Sequence, residues 1–497
     1  MLNVTTGSAE VYKRLGAALY QQGRYDEALN AFRRAGELEP GSAAARHNVG
    51  LAIFALKRFD EALSHFRKAL ELNHRLAIGW NSLAAALLET GQPHEAVVAL
   101  RSGLIVDPGN TAMHSFLLCA LAHADAAPDE IIAETAAYAA RFPLPPRPPV
   151  AAAKHRPLRV GYVSGDFRDH AVVHFLEPLL RHQHPPIVET FAYSHTPAPD
   201  IVTARLQSLV TGWRDITALT NEQAAAQIRA DRIDILIDLM GHTAGNRLPL
   251  FALRPAPVQL SWLGYAGPTP LPAIDATLSD PLLWPTDAAL PVLAPYAPPP
   301  HLPELTARPH PLTLASLGNP VKLSAPTLAA WARLLEELPA ARLLLLVPGL
   351  DPAALARIRS HFPAALHPRL DFRDKLPFAD YLALHHEIDI LLDTFPLSGH
   401  TVSCHALAMG VPIVTRAGAT PWQRLTTSVL AALNKPDWIA TTPDDYVRRA
   451  VALAQHLPDR AGLRREFLSS PLADAAAFAA AFTQTLRGLH ERSLAAP

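Results

Sequence analysis

At 497 residues the chain is too long for one ordinary core and calls for about three folded units. Lys plus Arg total 44 against 45 Asp plus Glu, a formal charge of -1, so no basic field is present to draw nucleic acid or an anionic membrane, and a neutral or small polar partner fits better. Cys119 and Cys404 alone exclude a disulfide framework. The first residues carry no apolar signal core and no window approaches the ~20 apolar residues of a membrane span, so a cytoplasmic protein is expected.

The first signal along the chain is repetition at a spacing of 34. Gly16, Gly50 and Ala84 align, then Tyr25, Phe59 and Pro93, then Ala28, Ala62 and Ala96, then Phe32, Phe66 and Leu100, then Ala35, Ala69 and Gly103. Pro40 and Pro108 close the first and third copies, with His74 between them. Small residues let the two helices of a unit approach, the larger apolar residues fill between units, and proline stops the second helix. The pattern resembles the tetratricopeptide repeat over about residues 9–108, which implies a solenoid with a concave protein-binding face. Residues 110–142, with Leu117, Leu118, Leu121, Ile131 and Ile132 at helical spacing, continue it as a cap, and PLPPRPPV breaks the chain.

From 158 the periodicity changes to short apolar runs between longer helical stretches, the sign of parallel sheets with crossover helices. Strands are expected at 158–164, 189–194, 233–241 and 258–264. After a proline-rich stretch they recur at 312–316, 342–349, 370–376, 389–395 and 411–415. The expected organisation is a repeat solenoid over 1–108, a cap and linker over 109–150, and two Rossmann-like lobes over 151–300 and 301–497. The helical last ~60 residues are expected to pack back across the lobes.

Ligands of such sheets sit beyond the carboxyl ends of the strands, which directs the search for chemistry. After the first strand stands SGDFRDHAVVH, with Asp166, Asp169, His170 and His174. These residues suit removal of a proton from an acceptor hydroxyl or the holding of a sugar, and equally a metal or a helix cap. In DTFPLSGHTVSCHALAMGVPIVT, a Ser-Gly-His-Thr turn leads into a helix of small residues. That aims N–H groups and the positive end of a helix dipole at one place, where His400 and Thr401 add side-chain donors for a diphosphate. Thr401 alone would suit an ordinary N-cap. Lys322, in GNPVKLSAPTLAAW, is placed to neutralise a departing diphosphate or to lie solvated on the surface.

Together, LRVGYVSGDFRDHAVVH, DILIDLMGHTAGNRLPLFALRPAPVQLSWLGYAGP, NPVKLSAPTLAAW and DTFPLSGHTVSCHALAMGVPIVT resemble the O-linked N-acetylglucosamine transferases, with their Spindly and bacterial N-glycosyltransferase relatives. The resemblance covers nearly the whole chain. It implies an α/β GT-B fold, two Rossmann-like lobes with the donor between them, and inversion at the anomeric carbon without a metal or other cofactor. By position it implies His170 and Asp166 as proton-handling groups and Lys322 on the diphosphate. Asn319, His400 and Thr401 match the phosphate contacts, Leu263 and Gly264 the loop against the sugar, and 376–381 the uracil site. Departures fall at His405, where an acid usually meets ribose, at Val172 for a threonine, at Tyr381 for a histidine near uracil, and at Ala419 for a glutamate. The asparagine ladder of the family's repeats is matched by Arg14, Asn48 and Ser82.

The resemblance thus implies a nucleotide sugar, a uridine diphosphate sugar in the first instance, and acceptor proteins met through the repeats. Transfer of N-acetylglucosamine or a related hexose to Ser or Thr is the expected activity. An asparagine-directed glucosyltransferase, a guanosine-diphosphate-fucose-dependent fucosyltransferase and a degenerate, repeat-based scaffold are the alternatives.

Overall fold

The computed structural model describes residues 8–149, 156–183, 187–267, 269, 271–299, 302–305 and 311–495. The chain's first residues and parts of the proline-rich stretches considered above lie outside them.

The repeats form helix pairs: α1 (Ala9–Gln21) with α2 (Tyr25–Leu38), α3 (Ala43–Ala55) with α4 (Phe59–Leu72), and α5 (Ala77–Glu89) with α6 (Pro93–Val106). Within the first two pairs the glycine is required by contact. A Cβ on Gly16 would lie 2.5 Å from the Phe32 ring and one on Gly50 2.7 Å from Phe66, so the small residue and the aromatic one define a single close approach. Ser8 and Ser42 cap α1 and α3 by accepting from main-chain N–H groups, and Pro93 opens α6 where no helical donor is lost. The cap follows as α7 (Thr111–His123) and α8 (Pro128–Ala139).

Two parallel six-stranded sheets come next. The first contains β1 (Leu158–Ser164), β2 (Val188–Ser194), β3 (Gly212–Asp215), β4 (Ile235–Asp238), β5 (Val258–Ser261) and β6 (Ala276–Thr277), in the order β3-β2-β1-β4-β5-β6. The second contains β7 (Thr313–Ser316), β8 (Arg342–Leu346), β9 (Leu370–Arg373), β10 (Ile390–Leu392), β11 (Ile413–Arg416) and β12 (Ile439–Ala440), in the order β12-β11-β10-β7-β8-β9. Each lobe therefore starts at its centre, adds two strands on one side and three on the other, and reverses direction beside its first strand. That reversal leaves a crevice at the carboxyl ends. The central β1 pairs Val160 with both Thr190 and Ile235 and is buried along nearly its whole length, as a strand covered on both faces must be.

The sequence pattern omits β3, β6 and β12. All three are short strands at a sheet edge, and β3 reads GWRD with no residue fully buried, so no apolar run marks it. The other expected strands form at the expected places, β1 with the expected bounds, β2 starting one residue earlier, and most of the rest shorter than expected. The segment 376–381 leaves β9 as a loop and enters the helix Phe378–Leu384.

Among the described residues, three cores hold the molecule. The arm and one face of the first sheet share a core in which Leu118 and Leu121 belong to the same cluster as Val163, Leu236 and Phe251. A second joins the other face of that sheet, the terminal helix Ala475–Ala495 and the near face of the second sheet. The third lies on the far face of the second sheet, around Trp331 and Tyr446. The terminal helix packs back on the first lobe, with Phe478 and Phe482 against Trp262 at ring separations of 6.2 and 4.8 Å.

Candidate active site

A cleft of about 1060 Å³ runs between the lobes along the strand ends. His170 and His174 line it from the first lobe, Asn319, Tyr381, Thr401 and His405 from the second, and Lys57, Phe59 and Glu89 from the arm. A smaller cavity of about 140 Å³ adjoins it, lined by Leu263, Gly264, Phe175 and His400, with Ala171 and Thr401 bordering both spaces. Leu263 and Gly264 have φ of 58° and 62°. A Cβ on Gly264 would come within 2.2 Å of the Leu239 carbonyl oxygen, so the wall of the smaller cavity requires glycine there.

The turn between β10 and the helix Thr401–Ala408 is built around a buried carboxylate. Asp393 accepts from the N–H groups of Thr394 (3.0 Å) and Gly399 (2.7 Å) and from the Thr415 hydroxyl (2.6 Å). The Ser398 hydroxyl donates to the Trp422 carbonyl (2.9 Å), and Thr426 donates to the Gly399 carbonyl (2.8 Å). These bonds fix His400 at the N-cap of the following helix, stacked on Phe175 with centroids 4.4 Å apart. Burial and the nearby Lys322 cation push the His400 imidazole down to about 4, so it is neutral at pH 7 and offers a single N–H donor.

Lys322 closes a short turn, Pro320–Lys322, that follows β7, and Asn319 caps the turn through Val321 N–H at 3.1 Å. Its ammonium donates to the Ser398 carbonyl at 2.9 Å, across the gap between this turn and the loop that leads into the helix Thr401–Ala408. Lys322 is half-buried rather than freely solvated. Burial lowers the pKa of Lys322, and the Asp393 carboxylate opposes that shift.

The acid and base candidates of the first lobe meet but do not bond. Asp166 Oδ2 lies 3.7 Å from His170 Nδ1, which instead accepts from Val172 N–H at 3.4 Å. Asp166 and His170 therefore stand close without a hydrogen bond between them. His170 is 39% exposed, open to the cleft.

On the opposite wall, His405 Nδ1 lies 3.2 Å from the Tyr381 hydroxyl, and its Nε2 is buried without a partner among the described residues. Burial, with His174 and His385 nearby, holds His405 well below its ordinary range. Tyr381, Phe378, His174 and Tyr296 ring it, with centroids 5.1–5.6 Å away. Val172 is buried beside the smaller cavity. In the arm, Arg14 points to solvent, and Ser82 is buried on His47 at 2.9 Å, so neither offers a groove-lining amide.

Asp393, Ser398 and Phe175 are the supporting residues that the sequence reading left without a role. The only signal was a carboxylate ending a strand just before Ser-Gly-His-Thr. His242, quoted only within a motif, proves to be buried where the arm meets the first lobe, with its Nδ1 3.1 Å from the Ser115 hydroxyl. Among the described residues no cluster of metal-ligating side chains occurs, and no helix is long and apolar enough to cross a membrane.

Two Rossmann-type sheets facing one cleft, with a lysine-backed helix N-terminus on one side and a histidine on the other, define a GT-B glycosyltransferase framework preceded by tetratricopeptide repeats. The profile of Glycosyl transferase family 41 matches residues 141–291 and 316–480, and a tetratricopeptide-repeat profile matches residues 13–75. The chain belongs to glycosyl transferase family 41. It is 32% identical over 372 residues to the Solanum lycopersicum protein named "Probable UDP-N-acetylglucosamine--peptide N-acetylglucosaminyltransferase SPINDLY", covering 68% of this chain and 39% of that one. The Arabidopsis thaliana SEC protein, whose name gives the same activity, is 28% identical over 375 residues, covering 67% and 37%. The chain thus spans about two fifths of the curated relatives it matches. A solved structure of a lysine-to-methionine mutant of the Thermobaculum terrenum O-GlcNAc transferase superposes with a TM-score of 0.88 at 31% identity, covering 98% of this chain and 97% of that one.

Proposed function

We propose that the chain is an inverting, metal-independent protein glycosyltransferase that moves N-acetylglucosamine or a related hexose from a uridine diphosphate sugar to Ser or Thr of proteins. The observation that carries this is the half-buried Lys322 ammonium on Ser398, at the root of the His400-Thr401 helix start and next to the cleft that His170, Asn319 and Pro320 line. The lysine and the helix N-terminus supply the positive field that a leaving diphosphate needs. The acceptor oxygen attacks the anomeric carbon from the His170 side while the bond to the diphosphate breaks on the other. The hydroxyl proton passes to His170 or to Asp166 behind it, and the nucleoside diphosphate leaves with the electron pair. Asn319 and Thr401 hold phosphate, Leu263 and Gly264 bound the sugar, and Tyr381 and His405 meet the nucleoside. The repeats present acceptor protein to the arm side of the cleft.

The test is transfer from UDP-N-acetylglucosamine to a Ser/Thr peptide library in the presence of chelator, with the product anomer read by NMR. A β-linked product formed without metal is expected. A strict requirement for Mn²⁺, or an α-linked product, would overturn the reading. Tighter binding of guanosine diphosphate than of UDP would move it to fucosyl transfer, and labelling of asparagine to the asparagine-directed branch.

A further inference from the structure

The hairpin turns of the arm share one backbone position at a spacing of 34, and it lies in the left-handed region each time: Gly23 at φ 75°, Lys57 at 65°, Gly91 at 72° and Asp125 at 52°. Gly23, Lys57 and Gly91 also make the same bond, each N–H donating to the carbonyl three residues back at 2.9–3.0 Å. Glycine is at ease there, whereas a side chain costs the fold stability. Asp125 answers that cost with a contact, accepting from the Gln423 amide of the second lobe at 2.6 Å. Lys57 has no such answer within the protein. Its ammonium stands 5.8 Å from the centre of the Phe59 ring, and among the described residues it forms no ion pair. Its neighbours do: Arg58 reaches Glu61, and Arg357 of the second lobe reaches Asp60 at 3.0 Å.

We infer that Lys57 is a specificity-determining residue on the acceptor side: its ammonium takes an acidic side chain of the protein that receives the sugar. This rests on the functional reading above, in which the repeats present acceptor protein to the cleft. Lys57, Phe59 and Glu89 stand on the arm's wall of that cleft, and the lysine is exposed where the other two are half-buried. An exposed cation with no carboxylate of its own gives up little to bind one. Glu89 does not pair with it, and repels an acid placed towards the third repeat. The preference therefore falls on one position beside the modified hydroxyl and not on the acceptor's net charge. Backbone strain kept at a cleft wall, in a turn that two sister repeats build from glycine, is stability traded for binding.

The experiment takes the full chain, its Lys57→Gly and Lys57→Glu variants, UDP-N-acetylglucosamine as donor and a Ser/Thr peptide library randomised around the hydroxyl. The unaltered chain is expected to enrich Asp and Glu at one flanking position. Lys57→Gly should lose that enrichment and lower kcat/KM for an acidic peptide about two- to fivefold, while its melting temperature holds or rises because glycine fits the turn. Lys57→Glu should turn the preference at that position to Lys and Arg. UDP affinity, by calorimetric titration, should stay the same in both variants. An acidic preference that survives in Lys57→Gly, or is missing from the unaltered chain, overturns this inference alone. So does a lowered melting temperature in Lys57→Gly, which would make the lysine a support of the turn, or weakened UDP binding, which would make the donor's diphosphate its anion. Transfer to no peptide by the unaltered chain overturns the functional reading and this one with it.

Discussion

A cation stabilises a departing diphosphate best when its water has been removed and its position set beforehand. Lys322 goes far towards both conditions, since it is half-buried, held on the Ser398 carbonyl and drawn by Asp393. Lys322→Met is expected to lower turnover roughly 10²–10³-fold and to weaken UDP binding far less, by steady-state kinetics beside calorimetric titration; equal losses in both would make the lysine a mere binding group. Gly264 makes a different demand, one of space. With φ at 62° and a carbonyl oxygen 2.2 Å from any Cβ, Gly264→Ala is expected to cost more than about 1 kcal/mol of stability and to distort the sugar-side cavity. Unchanged thermal unfolding would show that the loop relaxes. The sequence named His170, Lys322, His400 and Thr401 because each stands in a motif. It could not show that Asp166 stops short of bonding His170, since a few tenths of an ångström between side chains leave no trace in spacing.

At the scale of elements, the repeats were readable because helix pairs need a small residue opposite a large one at a fixed interval, and Gly16 with Phe32 and Gly50 with Phe66 write that need into the chain. Edge strands carry no such constraint, which is why β3, β6 and β12 escaped. What no local pattern could reveal is that the arm and the first sheet share one core. Met113, Leu117 and Leu121 of α7 are buried between them. A chain lacking residues 1–108 is therefore expected to lose stability and UDP binding along with transfer to protein, because it strips one side of α7. Removal of residues 1–40 alone is expected to spare UDP binding while reducing transfer to protein. Thermal unfolding and UDP titration of both truncations decide it; an unchanged melting temperature in the longer deletion would mean that the lobes do not depend on the shared core.

For the whole molecule, acid is the expected weakness. Burial holds His242 at about 3 and His385 at about 4, and His405 well below its ordinary range, against about 6.5 for an unfolded histidine. Between those limits the unfolded chain binds more protons than the folded one. The stability these residues contribute is thus complete above pH 6.5 and is lost as pH falls towards 4. Asp238, raised to about 6 by burial, works the other way, stabilising the fold as pH falls from 6 towards its unfolded value. Three histidines outweigh one aspartate, so the melting temperature should fall from pH 7 to pH 4.5. A rise over that interval would contradict the neutral, buried state of these imidazoles.

The terminal helix has a mechanical meaning for the cleft. It crosses from the second lobe to lie on Trp262 of the first, while the inter-lobe connection runs beside it, Tyr296 N–H donating to the Leu472 carbonyl at 2.7 Å. Arg147 binds the far end of that helix and the first lobe at once, reaching Ser493 at 2.8 Å and Asp275 at 2.7 Å. Two spans fastened side by side bend readily about the line through them and resist torsion. A ligand of the cleft would then enter by a yawning of the jaws rather than a sideways slide, and each closure would return the lysine and the histidine to the same opposition.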